Sequence, residues 1–133
     1  MKIIIPLIIA LLTLSSCASS GTAAPAEYKR IGMEEAVAMM TAEEDYLIVD
    51  VRTPEEFAQG RIPGAVNVPN ESIGTEPPKE LPVKDQLLMV YCRSGNRSKQ
   101  ASQKLVDMGY SNVVEFGGII DWPGDIVSGS ENE

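Results

Sequence analysis

The run Leu87-Leu88-Met89-Val90-Tyr91 constrains the fold more than any other stretch, because an uninterrupted apolar segment closed by Cys92 reads as a short strand covered on both faces. Such a strand belongs in a parallel sheet with helices on either side. After Ser98 the apolar residues Ala101, Leu105 and Met108 recur at helical spacing, leaving Lys99, Gln100, Gln103, Lys104 and Asp107 for water. Cys92 therefore stands in a strand-to-helix turn, where backbone N–H groups without an intrahelical acceptor favour an anion at their focus. A thiolate is such an anion. Arg93 and Arg97 add two cations, and a unit charge at about 4 Å contributes about 4 kcal/mol at an effective dielectric of about 20. The Cys92 pKa is expected to fall below that of a free thiol. Gly95 lets the loop curl without a Cβ clash. The competing reading is a buried structural cysteine at a strand end, which would have no use for flanking arginines.

The rest of the chain supplies the partners for that unit. Tyr28–Ile31 reads as a short first strand and Met33–Met40 as a helix with Ala36, Val37 and Met40 on one face. Tyr46–Val51 is a second continuous apolar strand. Thr53, Pro54 and Glu56 then spell an N-cap, a first-turn proline and a capping-box acid, so a short helix over Pro54–Ala58 is expected to stop at Gly60. Arg52 and Glu56, four apart, are expected to pair across the start of that helix. Pro63-Gly64 marks a turn before a strand over Ala65–Val68. Asn70–Lys84, broken by Gly74, Pro77, Pro78 and Pro82, predicts an extended surface crossing with at most one turn of helix, placed to shape a pocket rim. Gly109 suits a helix C-cap. Asn112–Phe116 gives the last strand, and Ile119, Ile120 and Trp122 are expected to pack back on the sheet. Alternating strands and helices imply an α/β sandwich with its ligand outside the carboxyl ends of the strands, where Cys92 lies.

The first residues are a different kind of segment. Lys2, the apolar stretch Ile3–Leu14 and the small residues before Cys17 have the anatomy of a secretory signal, too short in its apolar part for a mature membrane span. Leu14-Ser15-Ser16-Cys17 resembles a bacterial lipobox, which would make residues 1–16 a signal peptide and Cys17 the lipid-bearing first residue of the mature chain. An ordinary signal cleaved near Ala18 or later is the alternative. Lipidation would anchor the protein in the cell envelope, facing the periplasm or the exterior, with the outer membrane favoured where there are two. Residues 17–27 read as a flexible tether, 28–126 as the domain and 127–133 as a disordered acidic tail.

Cysteine usage narrows the chemistry. With two cysteines in the chain and one carrying lipid, Cys92 has no disulfide partner, which argues against a dithiol oxidoreductase. No histidine is present, so no imidazole base is available and no zinc site or other cofactor is expected. The formal charge of −8 argues against nucleic-acid binding, while the two loop arginines act locally.

The loop Cys92-Arg93-Ser94-Gly95-Asn96-Arg97-Ser98, with LIVDVRTPEEFAQGRIPGAVNVP upstream and VVEFGGIIDWPG downstream, resembles a rhodanese-like domain over roughly Tyr28 to Asp125. The resemblance implies a three-layer α/β/α sandwich on a five-stranded parallel sheet of order 1-5-4-2-3. It also implies sulfur transfer: Cys92 as nucleophile, the amides of Arg93 to Ser98 as a cradle for the persulfide, and Arg93 and Arg97 as a clamp for a small anionic donor such as thiosulfate. Ser98 would bond the loop backbone or cap the helix. The acceptor would be a thiol, cyanide or a protein, and the protein a monomer. Relatives usually carry histidine where Arg61 stands. Two rivals remain open: a persulfide carrier that turns over poorly, and a cysteine phosphatase or arsenate reductase. Cys-x4-Arg closes a smaller ring than the Cys-x5-Arg of related phosphatases and fits a single sulfur atom better.

Overall fold

The computed structural model describes residues 26–129; Cys17, the signal segment and the last four residues lie outside them. Five strands, β1 (Lys29–Arg30), β2 (Tyr46–Asp50), β3 (Val66–Asn67), β4 (Leu87–Cys92) and β5 (Val113–Gly118), form one sheet in the order β1-β5-β4-β2-β3, every pairing parallel. Helices α1 (Met33–Ala42), α2 (Pro54–Gln59) and α3 (Asn96–Asp107) connect them. The architecture and strand order agree with the expected sandwich.

Side-chain alternation along β4 sorts the core into two layers. Leu88, Val90 and Cys92 join Ala101, Leu105 and Val106 of α3 in one cluster. Met89 and Tyr91 join Ala36 of α1 and Phe57 of α2 in the other. Period two thus decides that the cysteine faces α3. α3 ends in a Schellman turn: Gly109, at φ 97°, donates its amide to the Val106 carbonyl and Tyr110 donates to Leu105.

Helix α2 begins as its sequence dictates. The Thr53 side chain accepts the Glu56 amide and Glu56 reaches back to the Thr53 amide, completing the capping box around Pro54. Several expectations need correction. α3 begins at Asn96 rather than after Ser98, because Gly95 takes a left-handed conformation (φ 106°) that turns the chain directly into the helix. Ile120 does not pack on the sheet and is 63% exposed. The chain past residue 126 is still part of the fold: Val127 and Arg61 exchange backbone hydrogen bonds in an antiparallel bridge, and the Gly129 amide donates to Ala58. Residues 70–84 hold only a 3-10 turn at Asn70–Ser72 and are pinned by buried Ile73 and Leu81 rather than raised into a rim.

Arg61 has a structural task. It is buried, its guanidinium stacks 4.5 Å from the Phe57 ring centroid, and it donates to the carbonyls of Phe57 and Gly129. Arg61 thereby fastens the last described residues to α2.

Candidate active site

At the carboxyl end of β4 the loop folds over Cys92 with its amides turned inward. Gly95 donates its amide to Sγ at 3.0 Å, and the Ser98 hydroxyl lies 3.5 Å from the same sulfur. Burial pushes the thiol pKa up. Hydrogen bonds from the Ser98 hydroxyl and from the amides of Ser98, Gly95 and Ser94 more than offset this, and the thiol sits below its ordinary value. The direction is the one expected, but hydrogen bonds from the loop, not the arginine charges, produce it.

The sulfur is also less open than a reactive thiol read from sequence would be. Cys92 is 1% exposed, because the short loop leaves its nucleophile on the floor of the turn. Beside the loop runs a cleft of about 560 Å³ lined by Arg52, Glu56, Gln59, Gly60, Arg93, Ile119, Ile120 and Ile126. Arg93 is exposed along this cleft and Ser94 and Asn96 are exposed on the loop, while Gly95 and Ser98 are buried beneath them. A second hollow of about 390 Å³, lined by Lys29, Glu43, Asp45 and Asp85 among others, lies at the amino ends of the strands and holds no nucleophile.

Loop and strand approach so closely that a side chain has no room between them. A Cβ on Gly118 would lie 1.9 Å from the Arg93 carbonyl oxygen and 2.6 Å from the Ser94 nitrogen. A register shift between β4 and β5, where Cys92 pairs with Gly118, brings the two backbones together.

The expected ion pairs are exchanged. Arg52 pairs with Asp50, not Glu56. Glu56 instead takes Arg97 in a two-pronged contact at 2.7 and 3.0 Å. Residues i and i+4 are neighbours only inside a helix, and Arg52 precedes the cap, so its side chain follows the strand end inward. Arg97 is therefore a latch between the first turns of α2 and α3 as well as a cation beside the site. Its hydrogen bond to Arg97 holds the Glu56 carboxyl down at about 2. A depressed carboxylate adds stability above its unfolded pKa, near 4.5, and loses it as pH falls toward 2. The stability difference between wild type and Glu56→Gln is accordingly expected to stay constant from pH 7 to 5 and to shrink below about pH 4 in chemical denaturation; a difference independent of pH would show that the latch is not ionic.

Ser98 neither caps the helix nor bonds only the loop. Gly95 occupies the N-cap, and the Ser98 hydroxyl reaches the Gly95 carbonyl at 3.0 Å and Glu115 Oε1 at 2.7 Å. Sequence reasoning passed over Glu115. Its signal was a lone carboxylate inside the apolar run Val113-Val114-Glu115-Phe116. The sequence marks Glu56 only as a capping residue and a partner for Arg52, since nothing local announces a partner forty-one positions away.

A buried, hydrogen-bonded cysteine on a strand-to-helix loop at the carboxyl edge of a parallel α/β/α sandwich defines the class of α/β domains built around one cysteine nucleophile. The rhodanese-like domain model matches residues 33–124, and the chain belongs to that family. It is 49% identical over 80 residues to a sulfurtransferase of Allochromatium vinosum, covering 59% of this chain and 73% of that one. It is 34% identical to the thiosulfate sulfurtransferase GlpE of Pseudomonas entomophila, covering 78% of this chain and 96% of the relative. Among solved structures, a rhodanese-like domain protein from Staphylococcus aureus superposes with a TM-score of 0.64 at 32% identity, over 77% of this chain and 99% of that one. Sulfurtransferase activity is the family-level function that the relatives from Allochromatium vinosum and Pseudomonas entomophila share in name.

Proposed function

We propose that this chain transfers a sulfane sulfur from thiosulfate, or a similar small anionic donor, to a thiophilic acceptor through a persulfide on Cys92. The observation that carries this reading is the sulfur at the focus of the loop, with the Gly95 N–H at 3.0 Å. The thiolate attacks the outer sulfur of the donor, the S–S bond breaks, and its electron pair leaves with sulfite. The amides of Ser94, Gly95 and Ser98 are already oriented toward sulfur and stabilise the charge of the persulfide without reorganisation. Arg93, exposed on the cleft, steers the donor. Cyanide, a small thiol or a protein thiol then removes the sulfur.

Replacing Cys92 by Ser is expected to abolish thiosulfate:cyanide turnover, and turnover equal to wild type would end the proposal. The occupation of Arg97 by Glu56 supports a second reading, a persulfide carrier, because one of two donor-binding cations is already engaged. Sulfur acceptance from a protein persulfide at least tenfold more efficient than thiosulfate turnover favours the carrier.

We further propose that Cys17 is lipid-modified and holds the domain at the cell envelope, on the strength of the Leu14-Ser15-Ser16-Cys17 segment. Mass spectrometry of protein from the native membrane fraction tests this: an unmodified Cys17, or a mature terminus beyond it, contradicts it.

A further inference from the structure

The chain contains no histidine, so a protonated Cys92 has no imidazole to receive its proton. The fold supplies a carboxylate instead. Glu115, in the middle of β5, is 1% exposed among core residues. Its Oε1 accepts the Gly117 amide at 2.9 Å and lies 2.7 Å from Ser98 Oγ. Ser98 is fully buried, and its Oγ lies 3.5 Å from Cys92 Sγ. Sulfur, hydroxyl and carboxylate thus form one line of two contacts. At the far end Oε2 accepts from Nε of Arg30 at 3.4 Å, and it is the Arg30 side chain, 61% exposed, that meets water.

A serine hydroxyl owns a single proton. Around Ser98 the Glu115 oxygen is nearest, ahead of the Gly95 carbonyl at 3.0 Å and the Gly117 carbonyl at 3.4 Å. In the resting site Ser98 therefore gives its proton to Glu115 and turns lone pairs toward the Cys92 S–H. A carboxylate buried in mid-sheet costs free energy that packing does not return. Arg30, largely in water, compensates for little of it. The neighbours Val113, Val114 and Phe116 show what the strand would carry if filling space were the whole task.

We propose that Glu115, acting through Ser98, is the acceptor of the Cys92 proton. The S–H bond breaks as its proton joins Ser98 Oγ, and the proton already on Ser98 passes to Glu115 Oε1. Serine ends neutral, the negative charge moves from carboxylate to sulfur, and two anions need not coexist in one buried site. Ser98 then donates to the thiolate while accepting from the carboxyl. Use of this step in sulfur transfer rests on the function proposed above: the thiolate takes the sulfane sulfur, sulfite leaves with the electron pair, and the persulfide carries the charge while Glu115 keeps the proton, which returns through Ser98 to the Cys92 thiolate once the acceptor has removed the outer sulfur. Charged or titratable groups facing Glu115 are Arg30 from β1 and, through Ser98 of α3, Cys92 from β4; Arg97 on α3 is turned away to Glu56.

The test is the rate of Cys92 alkylation by iodoacetamide from pH 5 to 9, read by intact mass, which needs no sulfur chemistry. Wild type is expected to keep reacting on the acid side, because the thiolate forms by an internal transfer. Glu115→Gln and Ser98→Ala lose the acceptor or the wire, so their rates fall about tenfold per pH unit below the thiol midpoint and rejoin wild type within about twofold at pH 9. Ser98→Thr keeps the hydroxyl and follows wild type. Where Glu115→Gln fails to fold, Ser98→Ala against Ser98→Thr decides alone. A Glu115→Gln profile parallel to wild type, one displaced toward faster reaction in acid, or a Ser98→Ala profile matching Ser98→Thr overturns the relay. An intact acid plateau in a protein that transfers no sulfur overturns the proposed function and leaves the relay standing.

Discussion

Replacing Asp50 by alanine is expected to cost about 3–5 kcal/mol of stability, because it removes one member of a fully buried ion pair and strands the other. Asp50 is 0% and Arg52 6% exposed. The carboxylate accepts the Arg52 amide at 2.9 Å, its guanidinium through three contacts of 2.6–3.1 Å, and the Tyr91 hydroxyl at 2.7 Å. Tyr91 in turn accepts the Ile62 amide at 3.1 Å, and burial together with the Asp50 charge holds its hydroxyl well above the usual tyrosine range. Without Asp50, the Arg52 guanidinium keeps the Gly60 carbonyl, at 2.6 Å, as its remaining hydrogen-bond acceptor. For a domain of this size the loss corresponds to a fall in Tm of roughly 15–30 °C. Asp50→Ala combined with Arg52→Met should be more stable than Asp50→Ala, since the uncompensated charge goes with its partner. A Tm within about 5 °C of wild type for the single variant would show that the pair does not hold the carboxyl end of the sheet.

The second large effect is on activity. In Gly118→Ala the new Cβ meets backbone on the opposite side, the Arg93 carbonyl oxygen at 1.9 Å and carbon at 2.3 Å, so no side-chain rotation relieves it. Gly118 itself has φ −135°, an ordinary extended value, and the penalty is purely one of space. The loop must withdraw by more than an ångström, carrying the amides of Ser94 and Gly95 away from Sγ. A displacement of that size in a preorganised site costs about 100-fold in rate, with about 1–3 kcal/mol of stability lost to overpacking. Turnover measured beside circular dichroism separates the two. Wild-type turnover would mean that the loop's position against β5 is immaterial to the chemistry.

These two predictions also mark the limit of what could be read from sequence. Continuous apolar runs announced the parallel strands, and Thr53-Pro54 with Glu56 announced a helix start that the structure reproduces bond for bond. Those signals are local: periodicity and capping chemistry act within a few residues. Cys92 was legible for the same reason, standing where a strand must turn into a helix. Its partners were not. Glu115 reaches the sulfur through Ser98, and Glu56 reaches Arg97, across distances in sequence that only the sheet order brings together. The arginine pairings were misassigned because counting four residues presumes a helix that has not yet begun at Arg52. Burial of Cys92 was also hidden, since exposure depends on how far the loop bends back, which Gly95 and Gly118 set jointly. The antiparallel bridge from Val127 to Arg61 had no signal in a segment whose composition resembles a tail.

The most direct measurement is the intact mass of the protein after thiosulfate and removal of excess reagent. One added sulfur, about 32 Da, released by cyanide and missing from the Cys92→Ser protein, is the expected result for a persulfide held by the loop amides. An unchanged mass with Cys92 reduced and the protein folded, or an added sulfur that persists in Cys92→Ser, would contradict the account.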